Sequence, residues 1–173
     1  MSLTLNHFQL FNLPETFAVD SLMLAETFRE LQRTAHPDKF ANRSDQERRL
    51  AMQHATQINE AFQTLKHPLK RGQYLLMLKG IEMDSQQASA MDQLFLFEQM
   101  ELREKLESIA KQADPMMALE QFMDSIAQGI EKLINTLNHQ FQQADYAACQ
   151  NSIRKLQFFY KLQEEALNLE EQL

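Results

Sequence analysis

The 173-residue sequence holds one cysteine, no tryptophan, three glycines and four prolines. A lone cysteine, Cys149, builds neither a disulfide framework nor a zinc site. In the apolar stripe of an expected helix it reads as a small buried hydrophobe. So few glycines and prolines leave little room for a loop-rich β architecture. No run of about 18 uninterrupted apolar residues exists, so no transmembrane helix is expected. No basic stretch followed by an apolar run opens the chain, so no signal peptide is expected either, and the cytoplasm is the expected location. What is abundant is Leu, Gln, Glu and Ala, all helix-favouring, with ten Met and twelve Phe to fill a core. An all-α protein follows.

The net charge of −7 is unevenly spread: residues 1–80 carry +2 and residues 81–173 carry −9. Such asymmetry suggests halves that meet different partners. It also argues against nucleic acid as a ligand of the second half, because phosphate binding needs clustered Lys and Arg.

Within the first half, His36-Pro37-Asp38-Lys39-Phe40 falls between two amphipathic segments. The preceding one carries Leu24, Phe28, Leu31 and Ala35 as one stripe, with Asp20 as N-cap and with Arg29 and Arg33 on the opposite face. The following one, roughly Asp45 to Lys66, opens on the capping box Ser44-Asp45-Gln46-Glu47 and runs through Ala51, Ala55, Ile58, Phe62 and Leu65. As a bare tripeptide His-Pro-Asp is ordinary turn chemistry. Between two such helices, after a basic i,i+4 pair and before Lys-Phe, it resembles the heart of a J domain. Flanking pieces are short: residues 4–13 form a short helix whose Phe8 and Phe11 would pack on the pair, and Leu69–Leu78 forms another, started by Pro68 and closed by Lys79-Gly80.

Residues 81–91 are polar and irregular and mark a linker, which gives domains at 1–80 and 92–173. Three helical stretches follow the linker. The first spans about Asp92–Lys111. The second is announced by Asp114-Pro115 and carries Leu119, Phe122, Met123, Ile126, Ile130, Leu133, Leu137 and Phe141, interrupted only lightly by Gly129. The third is capped by Asp145 and carries Tyr146, Cys149, Ile153, Leu156, Tyr160 and Leu167. Short connections make an antiparallel three-helix bundle. In its first helix Phe95, Leu102, Leu106 and Ile109 share the core face, whereas Leu96, Phe97 and Met100 point roughly the other way beside Glu104 and Glu107. Phe158 and Leu162 likewise lie about half a revolution from the core stripe of the last helix. Such residues can widen a stripe that faces two neighbours or form an exposed patch for a protein partner. The second expectation is the favoured one.

A J domain followed directly by an acidic three-helix bundle, with no Gly-Phe linker or zinc ribbon, resembles the HscB family. The matching strings are Leu31-Gln32-Arg33 with His-Pro-Asp-Lys-Phe, then Ile58-Asn59-Glu60-Ala61-Phe62-Gln63-Thr64-Leu65 and His67-Pro68-Leu69. Phe95-Leu96, Glu98-Gln99, Glu101-Leu102-Arg103-Glu104 and Arg154-Lys155-Leu156 extend the match into the bundle. The resemblance implies a co-chaperone of iron-sulfur cluster assembly and protein maturation, not an enzyme, without cofactor or metal. It implies that His36, Pro37, Asp38 and Lys39, with Arg29 and Arg33, bind a DnaK-like chaperone of the HscA type and stimulate its ATPase. It further implies that Leu96, Phe97, Met100, Glu101, Glu104 and Phe158 hold an iron-sulfur scaffold of the IscU type. Phe97 stands where the family often has a smaller or more flexible apolar residue, and Ser108 where an acid is also found. The N-terminal cysteine pairs of some eukaryotic relatives are missing.

Other readings have less behind them. A hydrolase using His36 and Asp38 lacks a nucleophile, an oxyanion donor and a Gly-rich loop. His7, His54, His67 and His139 are scattered and form no i,i+4 metal pair. A helical scaffold self-associating through Leu96 and Phe158 would show a mass that rises with concentration, where a monomer or weak self-association is expected. The nearer alternative is a J-domain co-chaperone for a different client.

Overall fold

A computed structural model places residues 5–36, 39, 43–83 and 93–173. Among these the chain forms seven α-helices and no strand. It divides into two compact units, Met1–Lys79 and Gly80–Leu173. Much of the expected linker, including Asp84-Ser85-Gln86-Gln87, lies outside the described residues, as does Asp92.

The first unit holds α1 (His7–Leu10), α2 (Ser21–Ala35), α3 (Asp45–Lys66) and α4 (Pro68–Leu78). Each start has a local cause. The Asp20 carboxylate accepts the N–H groups of Leu22 and Met23 at 2.9 and 3.1 Å, which leaves α2 two fewer orphan donors. At α3 the capping box closes reciprocally: the Glu47 N–H donates to Ser44 Oγ, and the Ser44 N–H donates to Glu47 Oε2. These Ser44 hydrogen bonds hold the Glu47 carboxyl below its usual range. Phe28 of α2 and Phe62 of α3 stack 3.9 Å apart, over a core that includes Leu24, Ala35, Ile58, Ala61 and Leu65. α1 ends on Asn12 in the left-handed region (φ 52°), where an Asn side chain is tolerated. Phe8 and Phe11 pack inward from it, against Tyr74 and Phe62 respectively. Burial lowers the pKa of His7, whose ring stacks on Tyr74.

Arg71 plays a part that the sequence alone does not reveal. It is buried and donates to the Leu65 carbonyl at 2.6 Å, in the last turn of α3, while its guanidinium lies 4.9 Å from the centre of the Phe17 ring. One side chain thereby satisfies a carbonyl that α3 leaves without an intrahelical partner and ties α4 back onto α3. α4 stops where Gly80 turns left-handed at φ +74°.

The second unit is an antiparallel bundle of α5 (Gln93–Ile109), α6 (Pro115–Gln142) and α7 (Tyr146–Glu170). Asp114 and Asp145 cap the last two by accepting from Met117 N–H and Ala148 N–H, each at 3.1 Å. A Schellman motif closes α6: the Asp145 N–H donates to the Gln140 carbonyl and the Ala144 N–H to that of Phe141, with Ala144 at φ 55° where glycine is usual. The core combines Phe95, Leu106 and Ile109 with Leu119, Phe122, Ile126 and Leu137 and with Cys149, Ile153 and Leu156. Burial foremost pushes the Cys149 thiol up to about 11, consistent with an inert packing residue.

One expectation is corrected here. Phe158 and Leu162 do not form an exposed face; they are 9% and 1% accessible. The cause is that α7 packs against both α5 and α6, so it needs apolar cover over much more than one stripe. Phe158 meets Phe95 and Phe159 edge-on, with ring centres 5.7 and 5.9 Å apart.

Gly129 also gains a reason. A Cβ at this position would lie 2.4 Å from a ring carbon of Phe159, so the glycine is where α7 comes close to α6. Gly129→Ala should therefore lower the stability of the bundle by about 1–2 kcal/mol through overpacking. That is the opposite sign to the gain of about 1 kcal/mol that helix propensity alone gives. Urea denaturation reads the sign directly, and a stabilised variant would show that the ring moves aside freely.

Candidate partner-binding sites

Two surfaces carry the side chains singled out in the sequence, one on each unit. On the first, α2 ends at His36 because the next residue is proline, which disfavours helical geometry in its predecessor. His36 is accordingly extended (φ −60°, ψ 126°) and exposed. Its carbonyl accepts the Lys39 N–H at 3.0 Å, so the chain turns at once and presents Lys39 to solvent. Pro37, Asp38 and Phe40 lie outside the described residues. Arg29 and Arg33, one turn apart on α2, are both exposed. They line a groove of about 520 Å³ together with His36, and its floor includes Ala35, Ala55 and Ile58. Gln32 and Asn59 face each other across the helix pair at 3.3 Å and border the same groove. Reading the apolar stripes alone misses these two amides. Both lie in strings already singled out, Leu31-Gln32-Arg33 and Ile58-Asn59-Glu60.

The groove has cationic side chains on its walls and no carboxylate among its described lining residues. It therefore suits an acidic protein surface. Lys39 extends that field beyond the end of α2.

The second surface is the outer face of α5. Phe95, Leu106 and Ile109 turn inward, which leaves Leu96, Phe97 and Met100 44%, 65% and 60% accessible. Glu101 and Glu104 are exposed beside them, with Glu98 and Glu107 on the same helix. Leu94, 76% accessible and three residues before Phe97, extends the apolar area; its i,i+3 spacing to Phe97 was the sequence signal for it. Phe158 is not a member of this exposed set. The Arg103 guanidinium stands 5.7 Å from the centre of its ring and pairs with Glu165 at 3.6 Å, so Phe158 and Arg103 join α5 to α7 next to the patch. Adjacent exposed apolar side chains with a carboxylate rim mark a protein-binding face.

Among the described residues, no group of His, Cys, Asp and Glu is arranged to hold a metal ion, and no helix is long and apolar enough to cross a membrane.

A helical hairpin with a basic tip, joined to a three-helix bundle with an uncovered apolar-acidic face, defines a J-domain co-chaperone. Comparisons with known proteins agree. Residues 91–167 match the family described as the HSCB C-terminal oligomerisation domain. Over 169 residues the chain is 46% identical to the co-chaperone protein HscB homolog of Vibrio cholerae serotype O1 (strain ATCC 39541), with 98% of this chain and 99% of the relative covered. The solved structure of chaperone HscB from Vibrio cholerae superposes with a TM-score of 0.90 at 45% identity, over 98% of this chain and 99% of that one. Human co-chaperone HscB superposes at 0.91 and 31% identity, over 100% of this chain and 86% of that one. The chain belongs to the HscB family of co-chaperones.

Proposed function

We propose that this co-chaperone works in iron-sulfur cluster assembly, in the cytoplasm, by bringing two proteins together without catalysing a reaction itself. The His36–Lys39 tip, with Arg29 and Arg33 along α2, docks on a DnaK-like chaperone of the HscA type. Docking favours the conformer of that chaperone in which ATP is hydrolysed, which requires different affinities for its two conformers. The outer face of α5 holds an iron-sulfur scaffold of the IscU type through Leu96, Phe97, Met100, Glu101 and Glu104. Phe158 contributes from beneath, by fixing α5 to α7. Carrying both contacts on one chain makes the second encounter effectively intramolecular.

The observation that most supports this reading is the α5 face itself: three adjacent large apolar residues that bundle packing leaves uncovered. Calorimetric titration with an IscU-type scaffold, wild type beside a Leu96→Ser/Phe97→Ser/Met100→Ser variant, tests it. Heat of binding is expected for the wild type and should vanish for the variant. No binding by the wild type would favour a co-chaperone that serves another client. Because the matched family description names oligomerisation, mass is measured at several concentrations alongside. Self-association lost in the same variant would assign the α5 face to a second copy of the chain.

A further inference from the structure

We propose that the end of the bundle formed by the first turns of α6 and the last turn of α7 is a second docking site, and that its occupant is a cationic amphipathic helix of a partner protein. A groove of about 500 Å³ opens there. Leu119, 1% accessible, lies at its floor, while Met116 and Met117 on its wall are 51% and 56% accessible. Met123 is half-buried beside them. On α6, Met123, Met116, Glu120, Asp124 and Met117 follow one another around a single side of the helix, so the methionines flank the two carboxylates. Unbranched thioether side chains adapt to varied apolar partners, a property used at peptide-binding surfaces.

The charge around this groove has one sign. Asp114, Glu120, Asp124 and Glu170 line it, and none of the described lining residues is basic. Asp114 is engaged in capping α6, whereas Glu120, Asp124 and Glu170 make no ion pair among the described residues. Exposed methionines interleaved with carboxylates, and no cation beside them, select a ligand that carries apolar and cationic side chains together. A helix with aliphatic residues on one face and Lys or Arg at its margins places the former on the methionines and the latter against the carboxylates. The rim would repel an acidic helix of the same apolar pattern.

This surface is separate from the α5 face. Met100 lies about 14 Å of helix before the end of α5, and no α5 residue lines the groove. The two surfaces therefore share no lining residue.

The test uses the full chain and a labelled peptide of about 15 Leu and Lys residues in helical amphipathic order, followed by fluorescence anisotropy at low salt. The peptide is expected to bind. Its Kd should rise at least about tenfold in Glu120→Lys/Asp124→Lys and also in Met116→Ser/Met117→Ser. It should stay within about twofold in Glu82→Lys/Glu164→Lys, which makes the same change in net charge away from the groove, and in Leu96→Ser/Met100→Ser. Four results overturn the proposal. They are no binding by the wild type, equal loss in the two charge-reversal variants, unchanged binding in the methionine variant, and loss confined to the Leu96/Met100 variant. The last would place the peptide on the α5 face.

Discussion

Replacing His36 by Gln is expected to remove stimulation of the partner chaperone's ATPase, returning hydrolysis to its basal rate, while leaving this protein folded. His36 lies beyond the last residue of α2 and is exposed. The hydrogen bond that turns the chain there uses its backbone carbonyl and not its ring. Substitution of such a side chain changes stability by no more than about 0.5 kcal/mol. The functional loss is large because the tip must distinguish two conformers of the partner, and each tenfold of that preference is about 1.4 kcal/mol. A few lost contacts at the tip remove most of it. Single-turnover ATPase assays, with unfolding curves on the same sample, measure both. Full stimulation by a folded His36→Gln variant would remove this loop from the docking surface.

Phe158 and the α5 face should separate cleanly in a second experiment. Phe158→Ser empties a site enclosed by Phe95, Phe159 and the Arg103 guanidinium. The expected loss is about 3–5 kcal/mol, the range for a truncated core aromatic, and a large part of a total stability of about 5–15 kcal/mol. Leu96→Ser/Phe97→Ser/Met100→Ser removes more apolar volume than Phe158→Ser does, but from solvent-facing positions. It should shift stability by about 1 kcal/mol or less, yet abolish scaffold binding. Urea denaturation followed by circular dichroism reads the first quantity and calorimetry the second. If the triple variant unfolds as readily as Phe158→Ser, the α5 face belongs to the core and is not a docking surface.

The contrast between these residues shows what could be read from the sequence. Helix limits were legible because their signals are local: Asp20, the Ser44/Glu47 box, Pro68, Asp114-Pro115 and Asp145 all act on backbone groups within a turn. The exposure of Leu96, Phe97 and Met100 was legible as well, since Phe95 and Leu106 fix which way α5 faces. Phe158 and Leu162 were not. A helical wheel reports the angle between two side chains but not how many neighbours surround the helix, and α7 has two. Arg71 and Gly129 share that limit. A buried arginine and a glycine pressed by a ring depend on chain segments far away in sequence, Phe17 and Phe159.

The three helices of the bundle are not equally held. α6 and α7, joined by the tight Ala144 turn, share by far the most extensive contact, and α5 touches each of them much less. An element held by less contact opens at lower free energy than the rest of its domain. Native-state hydrogen exchange should therefore find α5 amides exchanging through a partial opening while α6 and α7 remain protected. The helix proposed to carry the client is then the one most ready to detach, and a bound client would act as its clamp, slowing exchange along α5 far more than elsewhere.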